Sequence, residues 1–354
     1  MNLIFFGDLA APEEDDVEII KNFIKKTDIF KNKVVVGNLE GVLVQNKEYA
    51  NSLYNNSRVI ELFTTSTKTI LSLANNHIKD IPEEFNETIE ILEKNNIGYS
   101  GAINQKNNKG KLNPYEVTIN GIKFAIFNHC WKVMSNIMKN RAKEIKVEDD
   151  EYEIFINKIK EYIEKNQKTK VIVYFHWNFD FEKYPFPSQR VIARKLIDLG
   201  VSIVVGSHSH LVNGGEMYKG KPIVYGFGNF YIPSKKFFKG KLNYPEDSDT
   251  TMLLEINTES SDVKVFWIKY DRESKEINLL SEESFEDGKI IEKYSEYRTI
   301  DSKEYKKFFR KNRLKNKFVP IWYNEKSNAI NKLKDKFILL RMKLFRFIKK
   351  IIKK

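Results

Sequence analysis

Cysteine is almost missing from these 354 residues: Cys130 stands alone, so no internal disulfide and no cysteine-built zinc or iron–sulfur site is available. Proline (9) and glycine (16) are too scarce for a low-complexity chain, and with 41% hydrophobic residues most of the sequence should fold. No apolar run approaches the roughly 18 residues needed to span a bilayer. The start, Met1 to Asp8, lacks a basic leader, and Gly7 and Asp8 break its apolar stretch, so no signal peptide is expected and the cytoplasm is the expected compartment. Charge is also missing from the body: the formal +12 is concentrated in residues 331–354, which hold ten basic groups and one acid, Asp335. The basic excess therefore describes a tail, and nucleic acid is not an expected partner.

What is present is an alternation of short apolar runs and amphipathic stretches. Leu3 to Gly7, Lys33 to Gly37 and Thr69 to Leu73 read as buried strands; helices are predicted over Glu13 to Lys26 and Pro82 to Lys94. A hairpin is expected at 116–127 around Asn120-Gly121. Helices over 150–165 and 188–199 alternate with strands at 171–175 and 203–205, and strands at 223–227, 252–256 and 263–268 follow. Strand–helix alternation followed by consecutive strands predicts an α/β fold of two mixed sheets packed face to face with helices outside. Two domains are expected: a body over 1–296 and a charged helical extension over 297–354. Between Pro233 and Asp249 runs a long polar connection in which lysines interleave with Phe237, Phe238 and Tyr244.

Five polar segments stand where predicted strands end: Gly7-Asp8, Gly37-Asn38-Leu39-Glu40-Gly41, Ala74-Asn75-Asn76-His77-Ile78-Lys79-Asp80, His176-Trp177 and Gly206-Ser207-His208-Ser209-His210. Strand C-termini are where α/β sheets collect ligand-binding groups. These five use four of the chain's five histidines, and carboxylate, amide and imidazole donors suit Mn²⁺, Fe²⁺ or Zn²⁺. In an extended segment His208 and His210 would share a face.

The ordered motifs GDL, NLEG, ANNHIKD, HW, GSHSH and YGFGNF resemble the CapA family of bacterial capsule and poly-γ-glutamate synthesis proteins, a branch of the calcineurin-like metallophosphoesterase superfamily, over residues 1–257. The resemblance implies a four-layer αββα sandwich with a site for one or two divalent ions (Mn, Fe or Zn). Asp8 would bind one ion and Glu40 would bridge. Asn76, His176 and His208 would complete the second site, and His210 would return to the first. His77 would assist the phosphoester, oriented by Asp80, and an activated water would attack phosphorus. Two departures stand out: position 10 is Ala where many superfamily members have histidine, and Asp180 stands four residues past His176 where the family often has Glu. Other readings remain open. Asp80 could cap the helix that Pro82 opens. Asn229 could hold a turn or touch substrate, Asn38 could add a carbonyl, and Lys235 and Lys236 could bind an anionic polymer or merely be solvated.

At the C-terminus Ile330, Leu333, Phe337, Leu340, Leu344, Phe347 and Ile351 recur at steps of three and four, widened by Ile338, Phe345, Ile348 and Ile352, opposite a face of lysine and arginine. That is the pattern of a helix lying on an anionic membrane surface; packing on its own domain or self-association are the alternatives. The sequence thus predicts a metal-dependent phosphoester hydrolase in capsule or other surface-polymer synthesis, peripheral at the cytoplasmic membrane face, with polymer synthase components as candidate partners. The competing expectation is a non-hydrolytic metal-binding accessory protein.

Overall fold

The computed structural model describes residues 1–137, 142–313 and 319–352. One sheet has the strand order Glu276–Ser284, Val263–Asp271, Thr250–Asn257, Asn2–Leu9, Val34–Leu39, Lys68–Ser72, Gly98–Ser100, with Asn229–Tyr231 added beside the end of the Asn2–Leu9 strand. The second runs Val212–Tyr218, Lys221–Phe227, Ile203–Ser207, Lys170–His176, Ile122–Cys130, Tyr115–Ile119. The first sheet is parallel from Asn2–Leu9 through Gly98–Ser100 and antiparallel from Asn2–Leu9 to its other edge, whereas the second has a parallel centre between antiparallel edges.

Both faces of each centre are apolar, because its strands are buried on two sides. Leu3, Phe5, Val34, Val36 and Ile70 of one sheet meet Phe124, Ile126, Ile172, Tyr174 and Val205 of the other in a single buried cluster. The alternate residues Ile4, Phe6, Val35 and Leu71, with Ala125, Val171 and Val173, turn outward and pack against helices Glu14–Thr27, Phe85–Lys94, Tyr152–Lys165 and Pro187–Asp198. Period-two alternation therefore builds the αββα sandwich directly. Tyr174 pins the sheets together, its hydroxyl donating to the Phe6 carbonyl at 2.6 Å. The parallel strands of both sheets end on one side, so the loops after residues 8, 39, 72, 176 and 207 gather there.

The strands and helices expected from the sequence are all present with shifted ends, and further strands appear at Val212–Tyr218 and Glu276–Ser284. Val212–Tyr218 carries Gly214-Gly215, and Glu276–Ser284 alternates weakly on a largely exposed edge, so neither shows a hydrophobic period. The segment after residue 296 lies on the body: Tyr297, Tyr305, Phe309, Val319, Ile321 and Ile338 join the main buried cluster, and the Tyr297 hydroxyl donates to the Asn213 carbonyl at 2.6 Å.

The last helix, Asn328–Ile352, turns Asn331, Lys334 and Ile338 inward. Leu333 and Leu340 of its apolar stripe are 66% and 68% exposed, and Ile330, Phe337, Leu344, Phe345 and Ile348 are exposed with them. Phe347, Ile351 and Ile352 of the expected stripe have side chains outside the described residues. Among the described residues no helix is long and apolar enough to cross a membrane.

Candidate metal centre

All six side chains assigned to metal by the sequence converge at the common strand-end face. Asp8, Glu40, His176, His208 and His210 are buried. One oxygen of Asp8 accepts from Asn38 Nδ2 at 2.8 Å and the other from the His208 amide at 2.9 Å. The same carboxylate lies 3.6 Å from His176 Nδ1 and 3.7 Å from His210 Nδ1. Glu40 Oε1 is 3.8 Å from both His77 Nε2 and His176 Nε2, and Asn76 Oδ1 is 2.8 Å from His176 Nε2. Ligand atoms of Glu40, His208 and His210 fall within 4.8 Å of one another.

Burial sets the electrostatics. It raises Glu40 well above the ordinary carboxylate range, and the charges of Asp8, Asp180 and Asp80 add to the effect. Burial also raises Asp8, while His210 and the hydrogen bonds from His208 and Asn38 act against it. The His176 imidazole is pushed well down, and His208 to about 4, in both cases chiefly by burial. Neutral imidazoles beside buried carboxylates form a set of electron-pair donors.

Whether these residues fit a cation is tested by Glu40 itself. It is fully buried, yet among the described residues neither carboxylate oxygen accepts a hydrogen bond. A buried carboxylate with no donor is unfavourable by several kcal/mol, and a hard or borderline cation is what its oxygens lack. The oxygen and imidazole donors around it fit a divalent ion.

The histidine pair converges for a different reason from the one the sequence suggested. The strand stops at Ser207, and His208 and His210 both take left-handed backbone, φ 95° and 60°, so they do not share the face of an extended segment. Non-glycine residues held this way cost on the order of 1 kcal/mol or more each, a strain that concentrates at functional sites. Trp177 secures the neighbouring strand end by donating Nε1 to the Tyr225 carbonyl at 2.8 Å and stacking on Phe175 at 4.1 Å.

Asp80 resolves between its two readings. Its Oδ2 is 2.9 Å from His77 Nδ1 and accepts from the Leu53 amide at 3.2 Å, while the short helix at Pro82 has no side-chain cap. His77 thereby turns Nε2 toward Glu40 and remains 14% exposed at the rim.

The residues whose roles the sequence left open find partners within the protein. Asn38 is fully buried, with Nδ2 on Asp8 and Oδ1 accepting from Asn75, so it positions Asp8. Asn229 places Oδ1 2.9 Å from His210 Nδ1 and therefore fixes that imidazole. Lys236 pairs with Glu13 and Asp16, both at 2.7 Å, so its charge is satisfied internally; Lys235 is exposed at a left-handed turn position.

Other residues escaped the sequence reading. Asn75 Oδ1 accepts from the Gly41, His77 and Ile78 amides, joining two of the ligand loops. Ser207 Oγ lies 3.1 Å from His176 Nδ1, and Asp180 is 3.3 Å from His208 Nε2. Asn75 sits inside a motif already singled out, so its position was the signal. Ser207 likewise lies inside the Gly206–His210 segment, and Asp180 stood out four residues past His176, but neither position says which imidazole the side chain meets.

The sequence profile described as bacterial capsule synthesis protein PGA_cap matches residues 8–234. A capsule biosynthesis protein CapA of Bacillus anthracis is 29% identical over 165 residues, covering 46% of this chain and 39% of that protein. The PGA biosynthesis protein CapA of Bacillus subtilis is 29% identical over 202 residues, covering 55% of this chain and 52% of that protein. The matched region thus spans about half or less of these relatives. Among solved structures, the calcineurin-like phosphoesterase YfkN of Bacillus subtilis superposes with a TM-score of 0.42 at 12% identity, over 86% of this chain and 98% of that one.

Proposed function

We propose that this chain, which belongs to the bacterial capsule synthesis protein PGA_cap family, is a metal-dependent phosphoester hydrolase serving surface-polymer synthesis. The observation that carries the reading is Glu40: a buried carboxylate without a hydrogen-bond donor among the described residues, ringed by Asp8, His176, His208 and His210. Asp8, Glu40, Asn76, His176, His208 and His210 would hold one or two divalent ions. Bound there, such ions would supply a water acidic enough to deprotonate near neutral pH and would offset phosphate charge.

The chain's own groups have separable tasks. Asn38 and Asn229 orient Asp8 and His210; Asp80 holds one nitrogen of His77 so that the other faces the cluster. From the rim, His77 is placed to meet a phosphoryl oxygen or the leaving group and to hand over a proton.

A second reading, a non-hydrolytic accessory protein that uses the metal pocket to bind polymer or a synthase partner, is favoured by position 10. Ala10 is fully buried in an apolar cluster, so no imidazole stands there. Turnover separates the two. The purified protein, assayed for bound Mn, Fe and Zn and with a generic phosphodiester, is expected to hold metal and to lose hydrolysis in His77→Ala and Asp8→Asn. Bound metal with no hydrolysis above the His77→Ala background would transfer the case to the accessory reading.

We also propose that helix Asn328–Ile352 attaches the protein to an anionic membrane surface at the cytoplasmic face. Its exposed leucines and phenylalanines are bordered by lysine and arginine, which complements a bilayer with acidic headgroups. Flotation with phosphatidylserine-containing liposomes should recover the full chain and lose a version ending at residue 327. Equal recovery of both would remove the claim.

A further inference from the structure

The 233–249 connection, polar by composition, is built around buried aromatics. Ile232, Phe237 and Tyr244 form a cluster with Ala10 and Leu53, the residues that flank the first strand end and the Asp80-bound turn. Its backbone is tied down: Lys235 N donates to the Leu242 carbonyl at 2.7 Å, and Tyr244 N to Ser234 Oγ at 3.0 Å. The Tyr244 carbonyl accepts from Arg272 Nη2 at 3.0 Å, and the same guanidinium pairs with Asp249 at 2.7 Å. Phe237 packs edge-on against Tyr54, and Phe238 lies 6.0 Å from the His77 ring. The loop therefore arrives at the metal centre as a fixed wall.

Tyr244 is 2% exposed. Its ring meets His210 edge-on with centroids 4.9 Å apart, and Phe181 at 5.8 Å braces it from another side. Among the described residues its hydroxyl is buried without a hydrogen-bond partner. A buried hydroxyl left unpaired is unfavourable, and one rigidly held beside a reaction site is a group prepared for a ligand. As a protonated phenol it has a proton to give.

We infer that the Tyr244 hydroxyl donates a hydrogen bond to a non-bridging oxygen of the phosphoester bound at this centre. The inference rests on the hydrolase reading and adds a substrate-contacting residue to it. It also explains the architecture of the loop: Phe237, Arg272 and Ser234 serve to hold one phenol in place.

The experiment titrates the Mn²⁺-loaded full chain with inorganic phosphate in a calorimeter, for the wild type and for Tyr244→Phe. The variant should bind phosphate roughly tenfold more weakly, as expected for loss of one hydrogen bond to a charged acceptor. It should hold the same amount of Mn²⁺. Without phosphate it should melt at the wild-type temperature or above, because the deleted hydroxyl pairs with nothing among the described residues. Phosphate affinities within twofold of each other would overturn the inference. So would a lower melting temperature of the variant, which would make the hydroxyl structural, or a wild type that binds no phosphate. Metal and phosphate binding without turnover would sink only the hydrolase reading, since the comparison of phosphate affinities does not depend on it.

Discussion

The strand-end cluster and the C-terminal helix break the rule of apolar inside and charged outside in opposite directions. At the cluster, carboxylates and imidazoles are withdrawn from water into a dense hydrogen-bonded frame, with Asn38, Asn75, Asp80, Ser207 and Asn229 each holding a neighbour. On the helix, leucine and phenylalanine face solvent, and the inward side is narrow, with Ile338 as its one fully buried apolar residue among those described. The difference teaches that the cluster is held in advance by the amides, hydroxyl and carboxylate behind it, whereas the helix, on the proposal above, would acquire its environment only on contact with a membrane surface.

The sharpest way to break the comparison is Glu40→Gln. A saturating divalent ion, at about a thousandfold over its Kd, stabilises a protein that binds it only when folded by about 4 kcal/mol. That gain, read as a shift in melting temperature on adding Mn²⁺, should be lost in the variant, while the metal-free variant melts no lower than wild type because the buried carboxyl it replaces has no hydrogen-bond donor among the described residues. Next, Leu333→Glu combined with Leu340→Glu should weaken binding to acidic liposomes by roughly a hundredfold, about 3 kcal/mol, with Mn²⁺ uptake unchanged. A loss of metal with it would show that the two regions are not independent.

His129 isolates the effect of burial from that of ligation. It is 1% exposed, away from the centre, its Nε2 2.8 Å from the Asp150 carbonyl, and burial lowers its pKa to about 4 from 6.5. The folded state therefore resists the proton that the unfolded state accepts. Its contribution is complete above pH 6.5, is lost as pH falls toward 4, and changes no further below that. Between pH 7 and 5 the wild type should lose about 2 kcal/mol more than His129→Gln in urea unfolding. The smallest effect is expected from Asn229→Ala, which frees the His210 ring without removing a ligand: about a tenfold weaker Mn²⁺ affinity, measured with a competing chelator.

Legibility followed the range of the interactions concerned. Asp8, Glu40, Asn76, His176, His208 and His210 could be picked out because each stands at the end of a recognisable apolar run, and a strand's end is a local property. The backbone that aims His208 and His210 was not legible, since left-handed φ at two non-glycine residues contradicts local preference and is imposed by surrounding contacts. Asn38 and Asn229 were found but their partners were not, because sequence does not say which neighbour an amide will meet. The same holds for Lys236, whose partners Glu13 and Asp16 lie more than two hundred residues away.

Hydrophobic periodicity, charge placement and the order of the polar segments belong to the chain itself, since all are set by spacing over a few turns or strand residues. From them came the αββα layering, the donor types gathered at the strand ends and the amphipathic last helix. Only the folded structure decided which face of that helix meets water, which amides stand behind the ligands, and that Tyr244 comes to rest against His210. Those outcomes depend on packing between segments remote in sequence, where the shape of one surface selects the partner of another.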